Sequence, residues 1–243
     1  MSLNSLPSSP KLTVCPVVVF DLDDTLFPES SYVRSGFEAV SAWLERTHDV
    51  QGFCLRAERL FESGARGNIF NLALTELGIP SSQERVSELV KIYREHIPSL
   101  HLHPDADWAL ARASACRRVG LLTDGYLIAQ KRKVAALQLE GRVAAIIYSD
   151  FYGRDHWKPS PTPYCKLVEA LQCRHSDCVY ISDNPIKDFL TARRLGWQTI
   201  QIARAGGEYA NASVPAEYQA DHRIISLYEL ESFFDSLPQR CPL

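Results

Sequence analysis

The chain has 243 residues, with 26 basic and 29 acidic side chains and a formal charge of −3. Apolar residues make up 46% and charged residues 23%, the balance of a globular protein that can bury a sizeable core. The slight acidity offers no footprint for nucleic acid or an anionic membrane, and no apolar run approaches the roughly 20 residues of a membrane helix.

The first sixteen residues are rich in Ser and Pro. They lack the basic start and sustained apolar segment of a signal peptide and read as a flexible tail. The seven cysteines are Cys15, Cys54, Cys116, Cys165, Cys173, Cys178 and Cys241. An odd, scattered set without a CxxC pair points to reduced thiols and a cytoplasmic protein. Cys173, His175 and Cys178 lie close together, but no second ligand pair follows at a distance that fits zinc.

Val17 to Phe20 is an unbroken apolar run, which suits a strand buried on both faces. Similar runs recur at Val119–Leu122, Val143–Tyr148, Cys178–Ile181 and Trp197–Ile202, and the stretches Leu127–Leu139, Pro161–Leu171 and Ile186–Leu195 have helical spacing. Strand alternating with helix predicts an α/β fold with a parallel sheet and right-handed crossovers. Between Ser31 and Ile97 the rhythm breaks into four apolar stripes of helical period, punctuated by Gly52, Gly64, Gly67 and Gly78-Ile-Pro80. A helical bundle over 30–98 is therefore expected inside a core domain built from 17–29 and 99–236.

The first strand runs directly into Asp21-Leu-Asp23-Asp24-Thr25. Ligands of open α/β sheets sit beyond the carboxyl ends of strands, so Asp21 and Asp23 stand where a ligand belongs. Two close carboxylates repel unless a hard cation such as Mg²⁺ is shared; the alternative is a solvated turn and helix cap. The second strand ends in Thr123-Asp124-Gly125, whose hydroxyl and backbone N–H groups can hold a phosphate or merely start a helix. Lys158 sits in His156-Trp-Lys158-Pro-Ser-Pro161, a stiff loop before a helix, and its ammonium can neutralise phosphate. The next strand ends in Ser182-Asp183-Asn184-Pro-Ile-Lys-Asp188, which reads as a further carboxylate site or as an N-cap.

In this order the four features resemble the motifs of the haloacid-dehalogenase-like hydrolases, from about Val17 to Ala203, with a closing strand and helix near His222–Phe234. The resemblance implies a Rossmann-like, doubly wound sheet of strand order 5-4-1-2-3 and identifies the helical insertion as a cap. It implies that Asp21 is the nucleophile and Asp23 the acid and base. Mg²⁺ would bind Asp21, the backbone carbonyl of Asp23, and Asp183. Thr123, the backbone of Asp124 and Gly125, and Lys158 would hold the phosphate. Thr25, Asn184 and Asp188 would support the site, Thr25 by bracing the nucleophile loop and Asp188 by orienting Lys158 or a metal-bound water. Two departures stand out: a carboxylate at Asp124, and the unusual segment Gly153–Trp157.

The function implied is a Mg²⁺-dependent phosphatase acting on a small phosphorylated metabolite, such as a sugar phosphate, nucleotide or organic acid phosphate, through an aspartyl-phosphate. Asp23 favours phosphoryl transfer over dehalogenation, which needs no acid at that position. The alternatives are a phosphomutase or phosphotransferase with the same site, and a non-catalytic phosphate-metabolite or protein-binding module. Phe27, Tyr32, Arg66 and Asn68 are candidates for the substrate lining.

Overall fold

The computed structural model describes residues 16–116 and 118–236. The tail expected over 1–16 therefore lies, apart from Pro16, outside the described residues, as do Cys15 and Cys241. Six strands form one parallel sheet: β1 (Val17–Phe20), β2 (Val119–Thr123), β3 (Ala145–Tyr148), β4 (Cys178–Ser182), β5 (Gln198–Ile202) and β6 (His222–Ile224), in the order β3-β2-β1-β4-β5-β6. The expected five-strand order is present, and β6 extends it past β5 as an edge. It lies where the closing strand is expected, near His222; its three residues, His222 and Arg223 exposed and Ile224 half-buried, carry too little apolar pattern to be read as a strand without the family resemblance.

β1 is wholly buried, and its side chains alternate between two layers, as the period of a strand requires. Val18 and Phe20 face α5 (Pro104–Cys116), α6 (Leu127–Ala136) and α9 (Glu231–Ser236), while Val17 and Val19 face α7 (Thr162–Leu171) and α8 (Phe189–Arg194). Helices thus cover both faces. Because the chain leaves β1 toward β2 on one side and β4 on the other, the carboxyl ends of these strands meet at the topological switch point.

Between β1 and α5 lie α1 (Glu29–His48), α2 (Phe53–Glu62), α3 (Ile69–Glu76) and α4 (Gln83–Glu95). They share an apolar cluster of their own around Phe37, Leu44, Phe53, Phe70 and Leu89. The first helix begins at Glu29 and not at Ser31, because Asp24 Oδ1 accepts the Glu29 N–H at 2.8 Å, satisfying an otherwise unpaired helix-start donor. At Gly36 the two longest of these helices touch: a Cβ there would lie 2.4 Å from the Tyr93 ring. Tyr32 joins bundle and core, packing in the core cluster while its hydroxyl donates to the Tyr93 carbonyl at 3.2 Å. Among the described residues no helix is long and apolar enough to cross a membrane.

Candidate active site

Asp21 is the first residue past β1, and its N–H donates to the Ile181 carbonyl of β4 at 2.9 Å. The carboxylate is thereby fixed at the switch point and is 5% exposed. Lys158 arrives from the loop before α7, and its Nζ donates to Asp21 Oδ1 at 2.7 Å and to Tyr180 Oη at 2.9 Å. It also lies 2.7 Å from Asp188 Oδ1. Asp188 is fully buried, with Ser182 Oγ donating to its Oδ2 at 2.5 Å and Tyr180 Oη to its Oδ1 at 3.2 Å. Burial opposes the charge of both Lys158 and Asp188, but each holds the other ionised: the lysine is pushed well up and the Asp188 carboxyl down.

Asp183 sits beside this pair. Oxygens of Asp21, Asp183 and Asp188 all lie within 4.8 Å of one another. Burial, reinforced by the Asp21 and Asp188 charges, pushes Asp183 up to about 9. Burial likewise pushes Asp21 up to about 7 against the pull of Lys158. Crowded, reluctant carboxylates with oxygen-only donors fit a hard divalent cation, whose charge relieves the repulsion. Asp21 and Asp183 are the available ligands, since the Asp188 oxygens are already engaged by Lys158, Ser182 and Tyr180. The Asp23 side chain is not part of this cluster.

Asp23 points instead toward α6. Lys133 Nζ donates to its Oδ1 at 2.6 Å and Gln130 Nε2 to its Oδ2 at 3.0 Å. Gln130 Oε1 in turn accepts the Thr123 hydroxyl at 2.9 Å. Both α6 side chains are almost fully buried. Sequence reading missed them; the available signal was their three-residue spacing, which puts both on one helix face, in a stretch otherwise read as amphipathic. Lys133 also approaches Glu29 Oε1 at 3.4 Å and stands 4.4 Å from the Tyr32 ring centre.

The Asp124 carboxylate turns toward the lysine loop. Both its oxygens accept the Lys158 backbone N–H, each at 3.2 Å, and Lys187 Nζ lies 3.7 Å away. Gly125 has φ +121, a conformation suited to glycine. The Gly153–Trp157 segment packs on Tyr126: the Arg154 guanidinium lies 4.5 Å from that ring and donates to its hydroxyl, Trp157 meets the ring edge-on at 5.9 Å, and Arg94 of α4 stacks on it at 3.3 Å. Trp157 Nε1 donates to Asp150 Oδ1 at 3.0 Å.

The supporting candidates are placed differently. Thr25 is fully buried, and among the described residues its hydroxyl has no hydrogen-bond partner; its carbonyl accepts from Arg204 at 2.9 Å. Asn184 Oδ1 accepts the Ile186 N–H at 2.9 Å and shapes the loop after β4. A cavity of about 670 Å³ opens between the bundle and the core, lined among others by Tyr32, Phe61, Arg66, Arg94, Gly125 and Lys133. Phe27 is wholly buried in the core, and neither it nor Asn68 reaches the cavity.

A family model described as haloacid dehalogenase-like hydrolase matches residues 15–196. The chain is 26% identical to a glyceraldehyde 3-phosphate phosphatase of Methanopyrus kandleri over 204 residues, covering 79% of this chain and 84% of that one. It is 27% identical to a phosphoserine phosphatase of Thermus thermophilus, covering 71% and 61%. Among solved structures, the 2-haloacid dehalogenase of Pseudomonas syringae superposes with a TM-score of 0.63 at 20% identity, over 91% of this chain and 99% of that one.

Proposed function

We propose that this chain, a phosphoric monoester hydrolase that belongs to the haloacid dehalogenase-like hydrolases, cleaves a small phosphorylated metabolite with Mg²⁺ through an aspartyl-phosphate. The reading rests on one observation: Asp21, Asp183 and Lys158 converge on a single buried point at the carboxyl ends of β1 and β4. The Thr123–Gly125 loop adjoins that point from β2.

In this reading Asp21 attacks phosphorus while the bond from phosphorus to the leaving oxygen breaks, and Asp23 gives that oxygen a proton. Asp23 then takes a proton from water, which attacks the aspartyl-phosphate, releases inorganic phosphate and restores Asp21. Thr123, the Gly125 N–H and Lys158 hold the transferring oxygens as their charge shifts. Asp188 keeps Lys158 charged and aimed. Asp21 and Asp183 would hold Mg²⁺ with the Asp23 carbonyl, and the bound cation supplies charge neutralisation for carboxylates and phosphate together.

Residues 30–98 act as the cap that shields the site and reads the leaving group, with Tyr32 and Arg66 on the cavity wall. The reduced thiols fit a cytoplasmic enzyme. Phosphate release from a panel of phosphorylated metabolites, with and without added Mg²⁺, tests the reading. Mg²⁺-dependent release from at least one member is expected, and no release from any member or from an aryl phosphate overturns it.

A further inference from the structure

Thr123 and Asp23 belong to opposite ends of the proposed reaction, one holding phosphate and the other moving protons. In the structure they are joined by the side chain of Gln130. Its Oε1 accepts the Thr123 hydroxyl at 2.9 Å, and its Nε2 donates to Asp23 Oδ2 at 3.0 Å. The Asp23 carboxylate can only accept, so it fixes which way the amide faces and leaves Gln130 Oε1 for the Thr123 hydroxyl. Lys133, one helical turn further along α6, donates to the other Asp23 oxygen at 2.6 Å. Both carboxylate oxygens are therefore held from one helix, by groups 3% and 2% exposed.

We propose that Gln130 and Lys133 are positioning residues: they hold the Asp23 carboxylate in one orientation, and Gln130 couples that orientation to phosphate at Thr123. The inference rests on the phosphatase reading and adds two residues to it. Thr123 cannot give its one proton to Gln130 and to a phosphoryl oxygen at once. When phosphate takes that proton, Gln130 Oε1 gives up Thr123 while its Nε2 and Lys133 keep hold of Asp23. Asp23 then swings toward the leaving oxygen within the arc that the two donors permit. The buried ammonium is retained because Asp23 and Glu29 both face it; an isolated buried charge would not be.

The test is rapid mixing of an aryl phosphate and Mg²⁺ with the full chain, comparing the natural protein with Lys133→Met, Lys133→Arg and Gln130→Met. Methionine fills similar space without a donor. In Lys133→Met the first turnover should survive as a burst near one equivalent. Steady turnover should fall by up to about 10²-fold, as for a misplaced catalytic group, with KM little changed. Lys133→Arg should restore much of the loss. Gln130→Met should show the same pattern more weakly, and it carries the test if Lys133→Met does not fold. Natural turnover rates in both Met variants, or equal loss of burst and steady rate in both, would overturn the inference. A natural protein that hydrolyses no phosphate at all would instead overturn the phosphatase reading, a distinct result.

Discussion

The Asp124 carboxylate accepts the backbone N–H of Lys158 with both oxygens at 3.2 Å. This contact fastens the loop after β2 to the loop that carries the lysine, 34 residues later. In sequence Asp124 looks like a negative charge misplaced beside a phosphate site; in the structure that charge is spent on the lysine loop and on Lys187.

Asp124→Ala should therefore act through Lys158. Losing the acceptor leaves a buried N–H unpaired, which costs about 1–3 kcal/mol, and loosens the ammonium that faces Asp21. We expect kcat at saturating substrate to fall by roughly 10-fold or more, while Asp124→Asn, which keeps a carbonyl oxygen, should retain most activity. Equal activity of Asp124→Ala and the natural protein would contradict this.

A second ion pair governs stability. Arg204 grips both oxygens of Asp105 at 2.8 and 3.0 Å and also donates to the Thr25 carbonyl. Asp105 additionally accepts from Ser226 Oγ and the Leu227 N–H, so one carboxylate and its arginine tie α5, the loop after β1 and the C-terminal segment. Asp105→Ala strands a largely buried guanidinium and should lower unfolding stability by about 3 kcal/mol, read from denaturant midpoints at constant slope. Burial raises the Asp105 carboxyl, but Arg204 outweighs it and holds it below its ordinary value. The pair's stabilisation is thus present at neutral pH and is lost as pH falls through that lowered value.

Asp183 and Asp21 have the opposite sign. Held up to about 9 and about 7, they keep protons in the folded chain that the unfolded chain releases. The cation-free protein should lose stability as pH rises from about 4 to about 9. Cation binding displaces those protons, so the gain in melting temperature from Mg²⁺ over chelator should widen with pH across that window. Asp183→Asn should flatten the trend. A gain independent of pH would contradict the shared-cation account, as would full turnover in a chelated sample.

The bundle should be separable from the chemistry. Its apolar cluster is its own, and chain without helix or strand joins α4 to α5. Replacing 30–98 by a short linker should leave a folded core that hydrolyses an aryl phosphate but discriminates poorly among metabolites. A folded, metal-binding core that keeps the parent's substrate ranking would remove the cap from specificity.

The parts of this site legible in sequence are those where residue type and strand position coincide. Asp21, Thr123 and Asp183 each follow a buried apolar run, and a strand end is the one place a run like Val17–Phe20 must release its chain to solvent. The Gly153–Trp157 segment resisted reading because it packs on Tyr126, a ring that Arg94 of the bundle also covers, and that contact depends on how the bundle meets the core. Gln130 and Lys133 were hidden for a related reason: on α6 they look like ordinary polar positions, and only the crossing of α6 over the β1 loop turns them onto Asp23. Thr25 is placed by its motif alone: its expected brace of the loop has a backbone contact beside it, the carbonyl accepting from Arg204, while among the described residues its buried hydroxyl has no partner.

The central claim is that Asp21 carries the phosphoryl group and Asp23 moves the protons. Rapid mixing of an aryl phosphate with Asp23→Asn, followed by acid quench and mapping of the labelled peptide, tests it most directly. An aryl group leaves with little protonation, so the first step should persist while loss of the general base slows the second by about 10²–10⁴-fold. The account predicts a burst near one equivalent, phosphate bound at Asp21, and no burst in Asp21→Asn. A burst from Asp21→Asn, or label at Asp23 and not at Asp21, would contradict it.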